Sequence, residues 1–152
     1  NMVRIILFKD SPDAVVPKIA YSGSSAAFDI TCIETTVIPA RGTAIVPNGL
    51  RLSIPQNEPY FMTLALRSSM GFKRNLICHP GIIDAGYCGE LGVKIFNFND
   101  EAVTIEKGER YAQVLVSQKH KIEFFEMSKE KFEEYKKTQE RGDKGFGSSG
   151  SK

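Results

Sequence analysis

The sequence predicts an all-β fold, a sandwich or barrel of short strands, on three observations. Short apolar runs bounded by Pro, Gly and Asn turns recur along the chain. They follow one another too closely for alternating βαβ units. One stretch alone, near the C-terminus, carries a helical pattern, and no internal repeat or second domain is visible. At 152 residues the chain suits one domain with a sizeable core.

Val3–Phe8 opens the chain as a short apolar strand. Thr36–Ile38, Thr43–Pro47, Leu50–Ile54 and Tyr60–Leu66 follow, punctuated by Gly42, Asn48, Gly49, Pro55 and Pro59. Pro80–Asn97, PGIIDAGYCGELGVKIFN, reads as a hairpin with an acid, Asp84, and an aromatic, Tyr87, at its bend. It runs into a buried strand, Leu91–Phe98, with Leu91, Val93 and Ile95 on one side. Ala102–Ile105 and Tyr111–Gln118 flank a turn at Glu106–Gly108. Ser128–Lys137 is the helix-like piece, with Ser128 as its cap and Phe132 and Tyr135 as its apolar face. From Thr138 the chain turns polar and glycine-rich, and is expected to be mobile until something orders it.

A net charge of +2 gives no global field for nucleic acid or a membrane surface, so neither is expected as a partner. The three cysteines, Cys32, Cys78 and Cys88, are an odd number without metal-ligand spacing, and read as reduced thiols. No apolar run is long enough to span a bilayer, and no signal-peptide pattern is present. The expectation is an intracellular protein, cytoplasmic or nuclear.

Three segments carry chemistry. In Leu66–Lys73, LRSSMGFK, Arg67 with Ser68 and Ser69 leaves an apolar strand just before a glycine and offers a phosphate-binding cluster. Arg141–Gly150, RGDKGFGSSG, sets a bidentate phosphate binder and a stacking ring, Phe146, among approachable backbone amides. Asp84 and Tyr87 add a carboxylate and a phenol. Each has a plainer reading alone: turns favour Asp for its own backbone bonds, a strand-end Arg is usually solvated, and Gly/Ser tails are common. Together they suggest a nucleotide polyphosphate held at one end by its base.

With those residues in view, the chain resembles the trimeric deoxyuridine triphosphatase (dUTPase) family. Its five short motifs occur in order over residues 26–150: Ala26–Ile30 (AAFDI), Arg67–Gly71 (RSSMG), Gly81–Glu90 (GIIDAGYCGE), Gly108–Val114 (GERYAQV) and Arg141–Gly150. The resemblance implies a jelly-roll-like β-barrel over residues 2–137, assembled as a homotrimer, with residues 138–152 as a flexible glycine-rich arm that closes the active site. It implies hydrolysis of dUTP to dUMP and pyrophosphate by water attack on the α-phosphorus, which lowers dUTP and supplies dUMP for thymidylate synthesis.

The resemblance also assigns roles. Asp84 is the general base, and Tyr87 lies against the deoxyribose and excludes a 2′-hydroxyl. Arg67, Ser68 and Ser69 hold the α and β phosphates, with Ser69 standing where the family usually has Gly. Gln113 orients phosphate and the attacking water, while Arg110 is a structural ion-pair partner. Asp29 is expected to position the tail, or to reach Mg2+ through water only, because that ion keeps several waters and is bound mostly by phosphates; His79 and His120 are not ligands. The main chain of a hairpin at Ile77–Ile83 reads uracil, with Cys78, Gly81, Ile82 and Ile83 nearest the base and Gly92 across from it. Arg141 binds the γ-phosphate, Phe146 stacks on the base for ~1–3 kcal/mol, and Gly147 and Ser148 offer amides. In the family each site draws its phosphate motifs, uracil hairpin and arm from three different subunits.

Three other readings compete. Deoxycytidine triphosphate deaminases share the Arg-Ser-Ser turn and the Ile-Asp-x-Gly-aromatic hairpin, but need a proton-shuttling glutamate where this chain has Lys94. A catalytically silent nucleotide-sensing or interaction module on the same fold would have no chemical need for Asp84, Tyr87, Arg141 and Phe146 together. A plain β-sandwich structural protein predicts no nucleotide affinity.

Overall fold

A computed structural model describes residues 2–145, so Phe146, Gly147 and Ser148 lie outside the described residues. The chain divides into two compact units, one ending at His120 and one beginning at Lys121. The first is mostly β: β1 (Ile6–Lys9), β2 (Ala27–Thr31), β3 (Thr36–Ile38), β4 (Thr43–Ile45), β5 (Leu50–Ser53), β6 (Tyr60–Leu66), β7 (Leu76–Cys78), β8 (Gly81–Ile83), β9 (Lys94–Asn97), β10 (Val103–Ile105) and β11 (Arg110–Gln118), with a short helix α1 (Ser68–Arg74) after β6. Its strands make four separate ladders, β1–β5, β10–β3, β4–β9–β7 and β2–β11–β6–β8, which do not close into one hydrogen-bonded barrel among the described residues. The second unit contains α2 (Lys129–Lys137), capped by Ser128, whose hydroxyl accepts from the Lys131 amide at 3.3 Å.

Period-2 burial builds the core. On β11, Ala112 and Val114 point inward while Gln113 and Leu115 face out, and their partners Ile30, Phe28 and Leu64 repeat the pattern across the sheet. These pack with Ile38, Val46, Ile54, Met62, Val93, Ile95 and Ile105 in one cluster. Burying each such side chain is worth about 1.5–3 kcal/mol over leaving it exposed. Tyr111 is buried at the centre, its hydroxyl donating to the Val46 carbonyl at 2.7 Å.

Several sequence expectations need correction. The segment from Ile77 to Ile83 is not a two-stranded hairpin: β7 pairs with β9 and β8 with β6, so the chain changes sheets at His79–Pro80, and the Pro80 nitrogen has no hydrogen to give a ladder. Residues 68–74, expected to leave the strand as a turn, form α1 because Met70 buries its side chain and Asn75, left-handed at φ 55°, ends the helix by donating its amide to the Met70 carbonyl. The first motif lies on a strand, β2, that composition did not reveal. In Leu91–Phe98, ladder pairing begins only at Lys94; Val93 instead accepts a single bond from the Val46 amide at 3.0 Å.

Candidate active site

The first site residues share the outward face of one sheet edge. Asp29 on β2 and Gln113 on β11 are directly paired, so their side chains stand side by side. Arg110 would point into the core if β11 kept strict alternation. A bulge between Arg110 and Ala112 lets both Tyr111 and Ala112 point inward and turns Arg110 out beside Asp29. Arg67 closes the group at the head of α1, its amide bonded to the Tyr111 carbonyl at 3.1 Å.

The geometry is that of an anion site with its charge partly pre-balanced. Oδ2 of Asp29 lies 3.4 Å from Nε of Arg67 and 3.4 Å from Nη1 of Arg110. Gln113 Nε2 donates to the Leu66 carbonyl at 3.0 Å, which fixes the amide and leaves its oxygen for another partner. Ser68 lines the same cavity, of about 660 Å³, and Ser69 follows it in the first turn of α1. Amides in a first helical turn have no intrahelical acceptor, so both serines keep donors to spare. Much of the remaining wall comes from residues between Val15 and Tyr21, including Lys18, which sequence reasoning did not single out. Its signal was slight: a basic residue after Pro17, upstream of the first motif.

Asp84 and Tyr87 lie elsewhere. They line a second cavity of about 350 Å³ with Gly81, Ile82, Ile83, Gly92 and Glu90, a carboxylate that sequence reasoning also passed over. A turn shapes it: the Tyr87 amide donates to the Asp84 carbonyl at 3.2 Å, and Gly86, at φ +90°, gives its amide to Ile54 at 2.7 Å. Tyr87 is held by its hydroxyl, which donates to the Glu90 carbonyl at 2.8 Å. Cys78 lines neither cavity but a third recess with Arg67 and Gly71, and burial pushes its thiol pKa up, against ready ionisation. Arg141, in the second unit, donates through Nε to the Lys144 carbonyl at 2.5 Å.

Among the described residues none lines both cavities. Asp29 is on β2 and Ile83 on β8, the opposite edges of a sheet ordered β2–β11–β6–β8. Three inter-strand steps put those edges about 14 Å apart. Strand β8 leaves its outer side unpaired, so part of its main chain is available for hydrogen bonding. Among the described residues no three His, Cys, Asp or Glu side chains gather as a metal cage, the cysteines are free, and no helix is long and apolar enough to cross a membrane.

A cationic cavity and a carboxylate-and-phenol cavity on a mostly-β scaffold mark a protein built to hold an anionic ligand with an aromatic or sugar part. Comparison with known proteins narrows this. The dUTPase family model matches residues 13–150. The deoxyuridine 5'-triphosphate nucleotidohydrolase of Wolinella succinogenes is 36% identical over 151 residues, covering 97% of this chain and 95% of that protein. That of a Hydrogenobaculum strain is 35% identical over 153 residues, covering 99% and 100%. The Staphylococcus bacteriophage 80alpha dUTPase with dUpNHpp superposes at a TM-score of 0.81 with 30% identity, over 97% of this chain and 98% of that one. The chain belongs to the dUTPase family.

Proposed function

We propose that the protein hydrolyses dUTP to dUMP and pyrophosphate as a homotrimer of jelly-roll-like barrels with shared active sites. One observation carries this reading: the residues one reaction requires are divided between two cavities at opposite edges of a single sheet. A neighbouring subunit that presents its Asp84 edge to this chain's Arg67 edge would complete the site. The nucleotidohydrolase names of full-length relatives support the substrate.

In the assembled site Arg67, the Ser68 hydroxyl and the amides of Ser68 and Ser69 bind the α and β phosphates by charge-assisted bonds. Gln113 keeps Nε2 on Leu66 and turns Oε1 toward the attacking water or a phosphate-bound proton. Asp84 removes the proton from that water as it attacks the α-phosphorus, a contribution of about 10²–10⁴ in rate. The free edge of β8, Gly81–Ile83, meets the polar rim of uracil, and the open space above Gly92 receives the ring. Tyr87 covers the deoxyribose and leaves no room for a 2′-hydroxyl. Residues 138–152 act as the arm that closes over the nucleotide through Arg141, Phe146, Gly147 and Ser148.

The donor set fits Mg2+ carried on the triphosphate. The phosphate cavity offers one carboxylate, Asp29, already flanked by two guanidiniums, so it suits a bridging water better than direct ligation. When bound, the ion neutralises phosphate charge and fixes the chain of oxygens.

The test is pyrophosphate release from dUTP, dCTP, dTTP and UTP by the wild type and Asp84→Asn. Turnover of dUTP alone, lost in the variant, is expected. Tight dUTP binding without release would favour a sensing module, and deamination of dCTP would revive the rival enzyme. Mixing Asp84→Asn subunits with subunits lacking residues 141–152 should restore activity; no recovery under proven subunit exchange would sink the shared site.

A further inference from the structure

We propose that Lys18 is a third cation of the phosphate cavity, and that it sets affinity for the polyphosphate chain of the substrate. The inference rests on reading this cavity as the polyphosphate site. Its wall carries Lys18, Arg67 and Arg110 against a single carboxylate, Asp29. One oxygen of Asp29 lies 3.4 Å from each guanidinium, which engages both arginines and leaves that group at +1. Lys18 takes no carboxylate partner among the described residues. Counting three cations and one carboxylate, the cavity stands at +2.

Lys18 is exposed to solvent, but it stands on the wall of the cavity, ahead of a turn with three left-handed residues, Tyr21 (φ 53°), Ser22 (φ 55°) and Gly23 (φ 86°). That turn brings the chain back into β2 and sets Lys18 on the same cavity wall as the arginines. An ammonium on a four-carbon stem is a compact point charge that can follow a phosphate without a fixed fork geometry. It therefore supplements the arginines, which are held in place by Asp29.

The experiment compares wild type, Lys18→Met and Lys18→Arg in dUTP turnover and in calorimetric binding of inorganic tripolyphosphate at two ionic strengths. Lys18→Met is expected to raise KM for dUTP by about fivefold, as for a partly screened charge, with kcat within about twofold. It should bind tripolyphosphate more weakly and with a shallower salt dependence, while Lys18→Arg stays near wild type and thermal midpoints do not move. Wild-type turnover of dUTP with Lys18→Met unchanged in KM, tripolyphosphate affinity and salt slope would overturn the proposal. A wild type that binds tripolyphosphate through Lys18 yet leaves dUTP intact would uphold Lys18 as an anion contact and defeat the functional reading instead.

Discussion

Arg110 lies within 3.4 Å of Asp29 because Tyr111, the residue between Arg110 and Ala112, is a bulge. The extra residue lets a buried tyrosine and an exposed arginine sit side by side on β11, where strict alternation would bury the arginine. The hydroxyl bond from Tyr111 to Val46 anchors the bulge in the core. Site and core are thus set by one local irregularity.

Asp29→Asn removes the one carboxylate that the described residues place on the phosphate cavity wall, while keeping its shape. All three partners are partly exposed, so the stability change should stay within about 1 kcal/mol. The added net positive charge should tighten inhibition by pyrophosphate, whereas kcat should fall if, as proposed, Asp29 is the anionic partner that would hold the water shell of Mg2+. Product-inhibition constants and kcat, measured together, check this; looser pyrophosphate binding would contradict it.

Gly92 distinguishes a steric demand of the fold from one of the ligand. A Cβ built there meets nothing within 4 Å. Gly92→Ala should leave the thermal midpoint unchanged and raise KM for dUTP at least about tenfold, since a methyl group in a close-fitting pocket displaces the ligand. An unaltered KM would remove Gly92 from the base-binding surface.

Gly89 lies under the Tyr87 ring: a Cβ there would clash with the phenolic oxygen. The tip of a side chain can swing away, so Gly89→Ala should fold but lose the bond from Tyr87 to the Glu90 carbonyl. The expected consequence is weaker discrimination between dUTP and UTP, read as the ratio of their kcat/KM values. Tyr87→Ala should produce a similar or larger loss, and a ratio unchanged in both variants would release Tyr87 from that role.

Tyr111 predicts an alkaline limit to stability. Burial pushes its phenol up from its ordinary value of 10.0, only partly opposed by the bond from Asn48. Below pH about 10 both folded and unfolded chains keep the proton, and this group gives no pH dependence. Above it the unfolded chain releases a proton that the folded one retains, so stability falls with rising pH. Denaturant titrations should show a shallower fall for Tyr111→Phe. The same variant should be less stable at neutral pH by about 1–3 kcal/mol, because the Val46 carbonyl loses its donor.

Much of the scaffold was legible. Apolar runs bounded by turn residues marked Tyr60–Leu66 and Tyr111–Gln118, and Ser128 capped its helix as read. The family was legible too, because its motifs are contiguous. Arg67 and Asp84 were recognisable as chemistry, but their separation within one chain was legible only through the family resemblance, since it depends on which edge of a four-stranded sheet each strand occupies. Lys18 escaped notice for the same reason: nothing local distinguishes a lysine on a cavity wall from one in solvent.

The sequence by itself determined where strands are favoured, where turns must fall and which functional groups are available, since these depend on the preferences of single residues and near neighbours. The tertiary structure decided what local preference does not encode. It drew α1 out of a segment that reads as a turn, because Met70 gains more by burial than the helix costs. It split an apparent hairpin between two sheets, and it paired β11 with β2 across most of the first unit. Ladder partners are set by which apolar faces can be buried together, and that is a property of the whole packed chain.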